Sequence, residues 1–305
     1  MRAAFAHTLA ELADRDDRIL LLTGDLGYKA LEPFSHRFPD RFYNVGVAEQ
    51  NLMGLATGLA DSGFIPFAYS IATFATLRGY EFIRNGPIAH RLPVRIVGMG
   101  GGFDYGSAGP THHGLEDVGV MRLQPGITVL APADSAQTRA ILLATWEIPG
   151  PVYYRIGKDD RGLVPGLEGR FELGRTEMVR SGSDVLLLVM GSLAGEAVAA
   201  AQGLEHSGVS CAVGVVSTLN PAPAGDLAAH LERFGTVIAI EAHYLTGGLG
   251  SLVAEVIAER GLRCRLTRCA VREGPDGHSG SASYYLDRHG LSGEAIAESV
   301  KRALS

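Results

Sequence analysis

Cysteine is scarce in this chain: Cys211, Cys264 and Cys269 are the only three in 305 residues, and no Cys-x-x-Cys pair occurs. A disulfide framework or a zinc-thiolate centre needs closely paired thiols, so neither organises the fold, and buried thiols in a reducing cytoplasm are expected. No run of eighteen apolar residues occurs, which excludes a spanning helix. Polar low-complexity tracts and long blocks of like charge are also missing, which argues against disorder. There is no positive excess either. The formal charge is −6, so the surface gives no electrostatic case for nucleic acid or anionic lipid, although local basic pockets for a phosphorylated substrate remain compatible with it. Residues Met1 to Asp17 mix charged and apolar positions at helical spacing, which is expected of neither a signal nor a transit peptide.

What is present is a chain 46% hydrophobic and 20% charged, long enough for two domains with their own cores. The first half alternates short apolar runs with helical patterns, the rhythm of a parallel sheet wrapped by helices. Helix is expected over residues 2 to 14, 50 to 62 and about 73 to 89. Strand is expected at 18 to 23, 65 to 69, 94 to 98, 127 to 131 and 152 to 156, with Asp134 or Ser135 capping a helix between the last two. From Gly157 to Gly174 the period lapses. The same rhythm then restarts at Asp184, which predicts two tandem doubly wound α/β domains over residues 1–160 and 181–305, joined by a linker at 161–180.

Four segments of the first domain carry candidate chemistry: Gly24-Asp25-Leu26-Gly27, Asn44 to Asn51, the aromatic stretch Tyr69 to Tyr80, and Gly109-Pro110-Thr111-His112-His113. All but the aromatic stretch begin at or just beyond the C-terminal end of an expected strand, where open parallel sheets hold ligands. Glu49, at the start of an apolar helix, reads either as a carboxylate favoured by the helix dipole or as a buried acid that hydrogen-bonds a heteroaromatic nitrogen. Phe74 reads as a core aromatic or a stacking platform. Asp25 reads as a cap or a site acid. His112 and His113 have no third ligand at sensible metal spacing. The run Gly98-Met99-Gly100-Gly101-Gly102 lacks both the Lys-Ser/Thr ending of a phosphate loop and the spacing of a dinucleotide fingerprint, which leaves a flexible channel loop.

The segment Val45-Gly46-Val47-Ala48-Glu49-Gln50-Asn51, followed by a Gly- and Ala-rich helix and then by Gly109-Pro110-Thr111-His112, resembles the pyrimidine-binding domain of transketolases. The likeness runs from Arg2 to about Arg155. Through Gly247-Gly248-Leu249-Gly250 the second half resembles the transketolase C-terminal domain, and the nearest likeness is to separately encoded bacterial C-terminal subunits. The resemblance implies thiamine-diphosphate-dependent transfer of a two-carbon ketol unit between a ketose donor and an aldose acceptor. Glu49 would bond the aminopyrimidine with a raised pKa, Phe74 would stack on it, and Asp25 would lie near the cofactor. His112 would bond donor oxygens, with His113 behind it. Arg2, Lys29, His112 and Arg155 would contact substrate, the three cations binding its phosphate.

The diphosphate-binding Gly-Asp-Gly and its later Asn are missing, so a partner subunit would supply them together with most of the Mg2+ ligation, in an α2β2 assembly; this chain itself would hold no metal. Two departures from the family pattern bear on specificity. Ala108 replaces an acid that bonds a substrate hydroxyl, and Gly100 replaces a phosphate-contacting histidine. A 2-oxoacid dehydrogenase β subunit, a deoxyxylulose-phosphate-synthase-like carboligase and a noncatalytic assembly partner are the alternatives. Glu241, His243 and Tyr244 read either as contacts to a substrate or cation or as a turn and helix start, and Gly274 to Ser283 reads as a surface loop.

Overall fold

The structure is a computed structural model and describes residues 1–158, 162–274 and 277–305. Residue 161 of the expected linker and residues 275 and 276 of the expected loop lie outside the described residues. Among the described residues, twelve strands form two sheets: β1 Ile19–Thr23, β2 Phe42–Asn44, β3 Ile65–Ile71, β4 Arg95–Met99, β5 Thr128–Leu130, β6 Val152–Ile156, β7 Thr176–Arg180, β8 Val185–Val189, β9 Cys211–Val216, β10 Thr218–Asn220, β11 Thr236–Tyr244 and β12 Arg265–Val271. The first sheet has the order β10-β5-β6-β4-β3-β1-β2 and the second β12-β11-β8-β9-β7.

Pairing is parallel throughout except at β10 and β7. Central strands such as Ile-Leu-Leu-Leu-Thr of β1 and Val-Leu-Leu-Leu-Val of β8 are buried along their whole length. That unbroken apolar run is what a parallel strand covered on both faces requires. Helices Arg2–Ala13 and Ser135–Thr145 cover one face of the first sheet and Glu49–Asp61 the other. Asp134 caps the second of these, its carboxylate accepting the Gln137 amide at 2.8 Å.

Three departures from the periodicity have physical causes. Thr176–Arg180, inside the expected linker, pairs antiparallel with β9 as a half-exposed edge strand, so the second sheet begins before the expected domain bound at 181. Thr218–Asn220 leaves the second domain and pairs antiparallel with β5 of the first sheet. Its three residues are too few to show a period, and the crossing makes the domains share a ladder as well as a continuous apolar core. The expected helix at 73 to 89 is broken into wide turns at Phe74–Arg78 and Arg84–Ile88 around a short α-helix, Tyr80–Ile83. Pro87 lies within the second wide turn, where its missing N–H removes a ladder bond.

Candidate active site

Between β1 and β3 the chain order of the first sheet reverses; Gly24 lies just beyond the C-terminal end of β1, and Ser70 is the last residue but one of β3. Glu49, the first residue of helix Glu49–Asp61, is set down beside them and is 2% exposed. A Cβ on Gly24 would lie 3.5 Å from both Glu49 Oε1 and Ser70 Oγ, in ordinary contact with each. Ser70 Oγ donates to Glu49 Oε1 at 2.9 Å, and Arg78 Nη1 donates to Oε2 at 2.8 Å. Burial pushes the Glu49 pKa up, but the bonds from Arg78 and Ser70 outweigh it and hold the carboxyl below the usual range. A raised value was expected from the sequence. Arg78 lies within the quoted aromatic run, yet its pairing across twenty-nine positions has no sequence signal.

The Arg78 guanidinium does a second thing: it lies 3.9 Å over the ring of Phe74. A flat, N–H-bearing cation is thus held between an aromatic face and a buried carboxylate. Phe74 in turn meets the His112 ring edge-on at 5.0 Å, and His112 Nδ1 is 2.9 Å from Thr111 Oγ1. Glu49, Phe74 and His112 therefore form one connected group at the sheet edge. The slot occupied by Arg78 offers what an aminopyrimidine needs, a ring to stack on and an acid to bond, so these residues fit that part of thiamine diphosphate. Among the described residues no three His, Cys, Asp or Glu side chains gather to hold a metal ion.

The remaining candidates separate. Asp25 is exposed, has φ of +58°, and accepts from Asn44 Nδ2 at 2.8 Å; it caps no helix and borders a cleft of about 240 Å³ with Thr23, Tyr28 and Asn44. Lys29, also exposed, has its ammonium 5.8 Å from the Tyr28 ring and no contact with the Glu49 group. Arg2 is half-buried at the start of the first helix.

Arg155, expected to bind substrate phosphate, is bonded within the protein. It is 7% exposed, with Nε donating to Asp117 Oδ2 at 2.9 Å and Nη2 donating to the carbonyls of Gly114 and Ala242, each at 2.8 Å. Tyr153 also donates to Asp117 Oδ2, at 2.6 Å. Spacing identified a cation here, but the fold commits it to bridging the two domains.

His113 is buried and sits edge-on against Phe103 at 5.1 Å and against Tyr285 of the second domain at 4.8 Å. Glu241 accepts the amides of Leu249 and Gly250, each at 2.7 Å, capping helix Leu249–Arg260. His243 Nε2 accepts the Gly119 amide at 3.1 Å across the domain boundary. Both fit the structural reading made from the sequence. Burial raises the pKa of all three cysteine thiols, that of Cys211 to about 11, so none is a ready nucleophile.

Gly100 has φ of +73°, and a Cβ there would overlap one edge of the Tyr105 ring. Tyr105 thus fills the space vacated by the missing side chain, 6.3 Å from the His112 ring, with Lys158 Nζ 4.6 Å over its own ring. Neither Tyr105 nor Lys158 stands in a recognisable motif.

Two family models divide the chain between them: the transketolase pyrimidine-binding domain matches residues 1–161 and the transketolase C-terminal domain residues 174–296. A putative transketolase C-terminal section from Methanocaldococcus jannaschii is 36% identical over 98% of this chain and 95% of its own length. The 6-deoxy-6-sulfo-D-fructose transketolase subunit of a Clostridium species is 34% identical over 98% of this chain and 93% of its length. The 1-deoxy-D-xylulose-5-phosphate synthase of Syntrophotalea carbinolica is 35% identical over 97% of this chain, which spans only 47% of that protein. A solved structure described as a split gene transketolase, inactive beta4 tetramer, superposes with a TM-score of 0.90 at 36% identity, covering 99% of this chain and 97% of that one.

Proposed function

The chain belongs to the transketolase family, and from that membership we propose that Glu49, Phe74 and His112 form this subunit's share of a thiamine-diphosphate-dependent ketol-transfer site. The observation that carries the reading is the slot between Phe74 and Glu49, filled here by Arg78. Thiamine diphosphate, when bound, supplies the carbanion chemistry at its thiazolium ring that a two-carbon transfer needs.

The residues of this chain have three tasks. Glu49, kept from water, would hold the aminopyrimidine nitrogen by a hydrogen bond and so tune the basicity of that ring. Phe74 fixes the plane of that ring. His112, edge-on to Phe74, reaches donor oxygens and moves protons to and from them.

The site is incomplete without a second chain that brings the diphosphate- and Mg2+-binding half. Support comes from the rim. Val47, two residues before Glu49, is 69% exposed, and Leu77, beside Arg78, is 44% exposed, an apolar border that a covering domain would bury. An α2β2 complex with this chain as the β-type subunit follows, and raised-pKa thiols are suited to a reducing cytoplasm. Among the described residues no helix is long and apolar enough to cross a membrane. The substrate is a sugar with an anionic terminus, in line with the sulfonated sugar in one relative's name.

Co-expression with a chain carrying the diphosphate-binding half tests the reading. The purified complex should transfer a ketol unit from hydroxypyruvate to an aldehyde acceptor in the presence of thiamine diphosphate and Mg2+, while neither chain does so alone. A cofactor-loaded complex that instead condenses pyruvate with an aldehyde and releases carbon dioxide would move the assignment to the synthase named among the relatives.

A further inference from the structure

The formal charge of the chain is negative, yet one cavity of the second domain is lined by five arginines and a single acid. It has a volume of about 430 Å³ and lies at the outer edge of the second sheet, where β12 pairs with β11 on one side only. Arg265 and Arg268 come from β12, Arg272 directly follows it, Arg288 ends helix Ala282–Arg288, and Arg302 lies in the last turn of helix Gly293–Leu304; the acid is Glu273. None of these residues belongs to the group formed by Glu49, Phe74 and His112.

A free strand edge is commonly guarded by cations standing out in solvent. That accounts for Arg265, but not for the way the others are held. Arg268 Nη1 donates to the Leu245 carbonyl at 3.1 Å, Arg272 Nη2 to the Arg268 carbonyl at 3.2 Å, and Arg302 Nη2 to Ser299 Oγ at 2.9 Å. Each guanidinium is oriented by a neutral acceptor, which leaves its charge intact and its other N–H groups for a further acceptor. Among the described residues neither these three nor Arg265 forms an ion pair. Glu273 is exposed and pairs with none of them, and Glu298, on the helix of Arg302, is bonded to Lys301 at 2.8 Å.

The cations also converge. Burial raises the pKa of the Cys269 thiol in the cavity wall, while Ser299 and the charges of Arg272 and Arg302 oppose it. Guanidiniums from a strand end and from a helix thus bear on one sulfur, which sets them around a common space rather than along an edge. Such cations repel one another, and an anion seated among them removes that cost. Arginine meets phosphate oxygens with paired N–H groups, and the hydroxyls of Thr267 and Ser299 line the same space. The spacing sets the class of anion. Arg265 and Arg272 stand at the two ends of β12, whose residues advance roughly 3.3 Å each, so their Cα atoms are on the order of 20 Å apart. A single phosphate meets one end of such a row, whereas linked phosphates engage several of its members.

We infer that this cavity binds a small polyanion, a molecule carrying two or more linked phosphate groups, gripped by Arg302 from the helix and by Arg265, Arg268 and Arg272 along the strand. The inference is independent of the ketol-transfer reading, because no residue lining the cavity takes part in that site.

The test is calorimetric titration of the full chain at about 0.15 M salt, without thiamine diphosphate or Mg2+, using inorganic triphosphate, inorganic phosphate and hexaglutamate. Triphosphate should bind once per chain and at least roughly tenfold more tightly than phosphate, with hexaglutamate weaker than triphosphate. Arg272→Ala and Arg302→Ala should each weaken triphosphate roughly tenfold, the scale of one lost charge-assisted contact, and Arg302→Lys should recover part of the loss. Both arginines are exposed, so melting temperature should stay near wild type. Thr267→Glu, which sets a carboxylate inside the cavity without removing a cation, gives an independent route to the same loss. No saturable binding at millimolar triphosphate, equal affinity for phosphate and triphosphate, or undiminished binding in folded Arg272→Ala, Arg302→Ala and Thr267→Glu overturns the inference. Tighter binding of hexaglutamate than of triphosphate also overturns it, in favour of an acidic protein segment.

Discussion

Removing Arg78 should tighten thiamine diphosphate binding. In the structure its guanidinium lies over Phe74 at 3.9 Å and donates to Glu49 at 2.8 Å, the two contacts that the aminopyrimidine would make. The cofactor must therefore displace an occupant before it binds. A cation–π contact on a partly exposed ring is worth about 0.5–1 kcal/mol. A charge-assisted bond to a buried carboxylate is worth about 1.5–3 kcal/mol in full, but the Arg78 side chain is 46% exposed, and solvent screening reduces that to about 1 kcal/mol. The sum, about 1.5–2 kcal/mol, corresponds to roughly a 10- to 30-fold fall in Kd when Arg78→Ala empties the slot in advance.

Truncation also leaves Glu49 buried without its cation, which raises the free protein further and pushes in the same direction. Equilibrium titration of the two-chain complex with thiamine diphosphate at fixed Mg2+, with no substrate present, measures the effect directly. Arg78→Lys keeps a charge but loses the flat face, and its Kd should fall between those of wild type and Arg78→Ala. Unchanged or weaker binding by Arg78→Ala would refute the reasoning, because it would mean that Arg78 supports the bound cofactor rather than occupying its place.

Three further outcomes follow from the geometry. Glu49→Gln should cut turnover of the reconstituted complex by roughly 10²–10⁴, the usual share of a positioned acid–base group, with assembly intact by size-exclusion chromatography. The Glu49 carboxyl is depressed in the folded chain, so its contribution to stability is present above the unfolded value near 4.3 and is lost as pH falls through the folded pKa. The melting-temperature advantage of the isolated wild-type chain over Arg78→Ala should accordingly hold at pH 7 and shrink through and below pH 4. Arg155→Ala leaves Asp117, whose side chain is fully buried, without its cation, and should destabilise the chain by about 3–5 kcal/mol in urea unfolding. If Arg155 instead served substrate phosphate, as its spacing suggested, that variant would keep its stability and lose KM.

The sequence was most informative where period and motif coincide. Val45 to Asn51 announces a strand, a turn and an apolar helix, and Glu49, Phe74 and His112 do meet at one sheet edge. Asp134 was readable as a cap because one side chain and one amide settle it locally. Arg155 could not be placed from its spacing, for the converse reason. A positive charge at the right spacing looks the same whether the fold aims it at a ligand or at Asp117, thirty-eight positions away. Arg78 was missed because it acquires its place from a partner brought over by the fold, Glu49, twenty-nine positions away. Strands β7 and β10 escaped detection because edge pairing depends on what lies alongside rather than on the residues themselves.

The second domain has no part in the slot, yet it shapes the loop that bears His112. Phe103, just after the glycine run, stacks on Tyr285 at 4.8 Å and on His289 at 5.2 Å, both from the C-terminal helix region. The Gly280 amide donates to the Gly106 carbonyl at 3.3 Å, and a Cβ on Gly109 would lie 3.2 Å from Ser279 Oγ. Gly109, with φ of +87°, turns the chain directly into Pro110-Thr111-His112 and is held in that turn from outside. His112 therefore takes its position relative to Phe74 from both domains. The loop's own short turns, three residues each at Gly106–Ala108 and Pro110–His112, contain too few backbone bonds to fix it. A weakened Tyr285 stack should then lower turnover while leaving thiamine diphosphate affinity in place, since Glu49, Phe74 and Ser70 depend on the first sheet alone. Tyr285→Ala, read by kcat beside cofactor Kd, separates the two: parallel loss of both would mean that the second domain supports the slot as well as the loop.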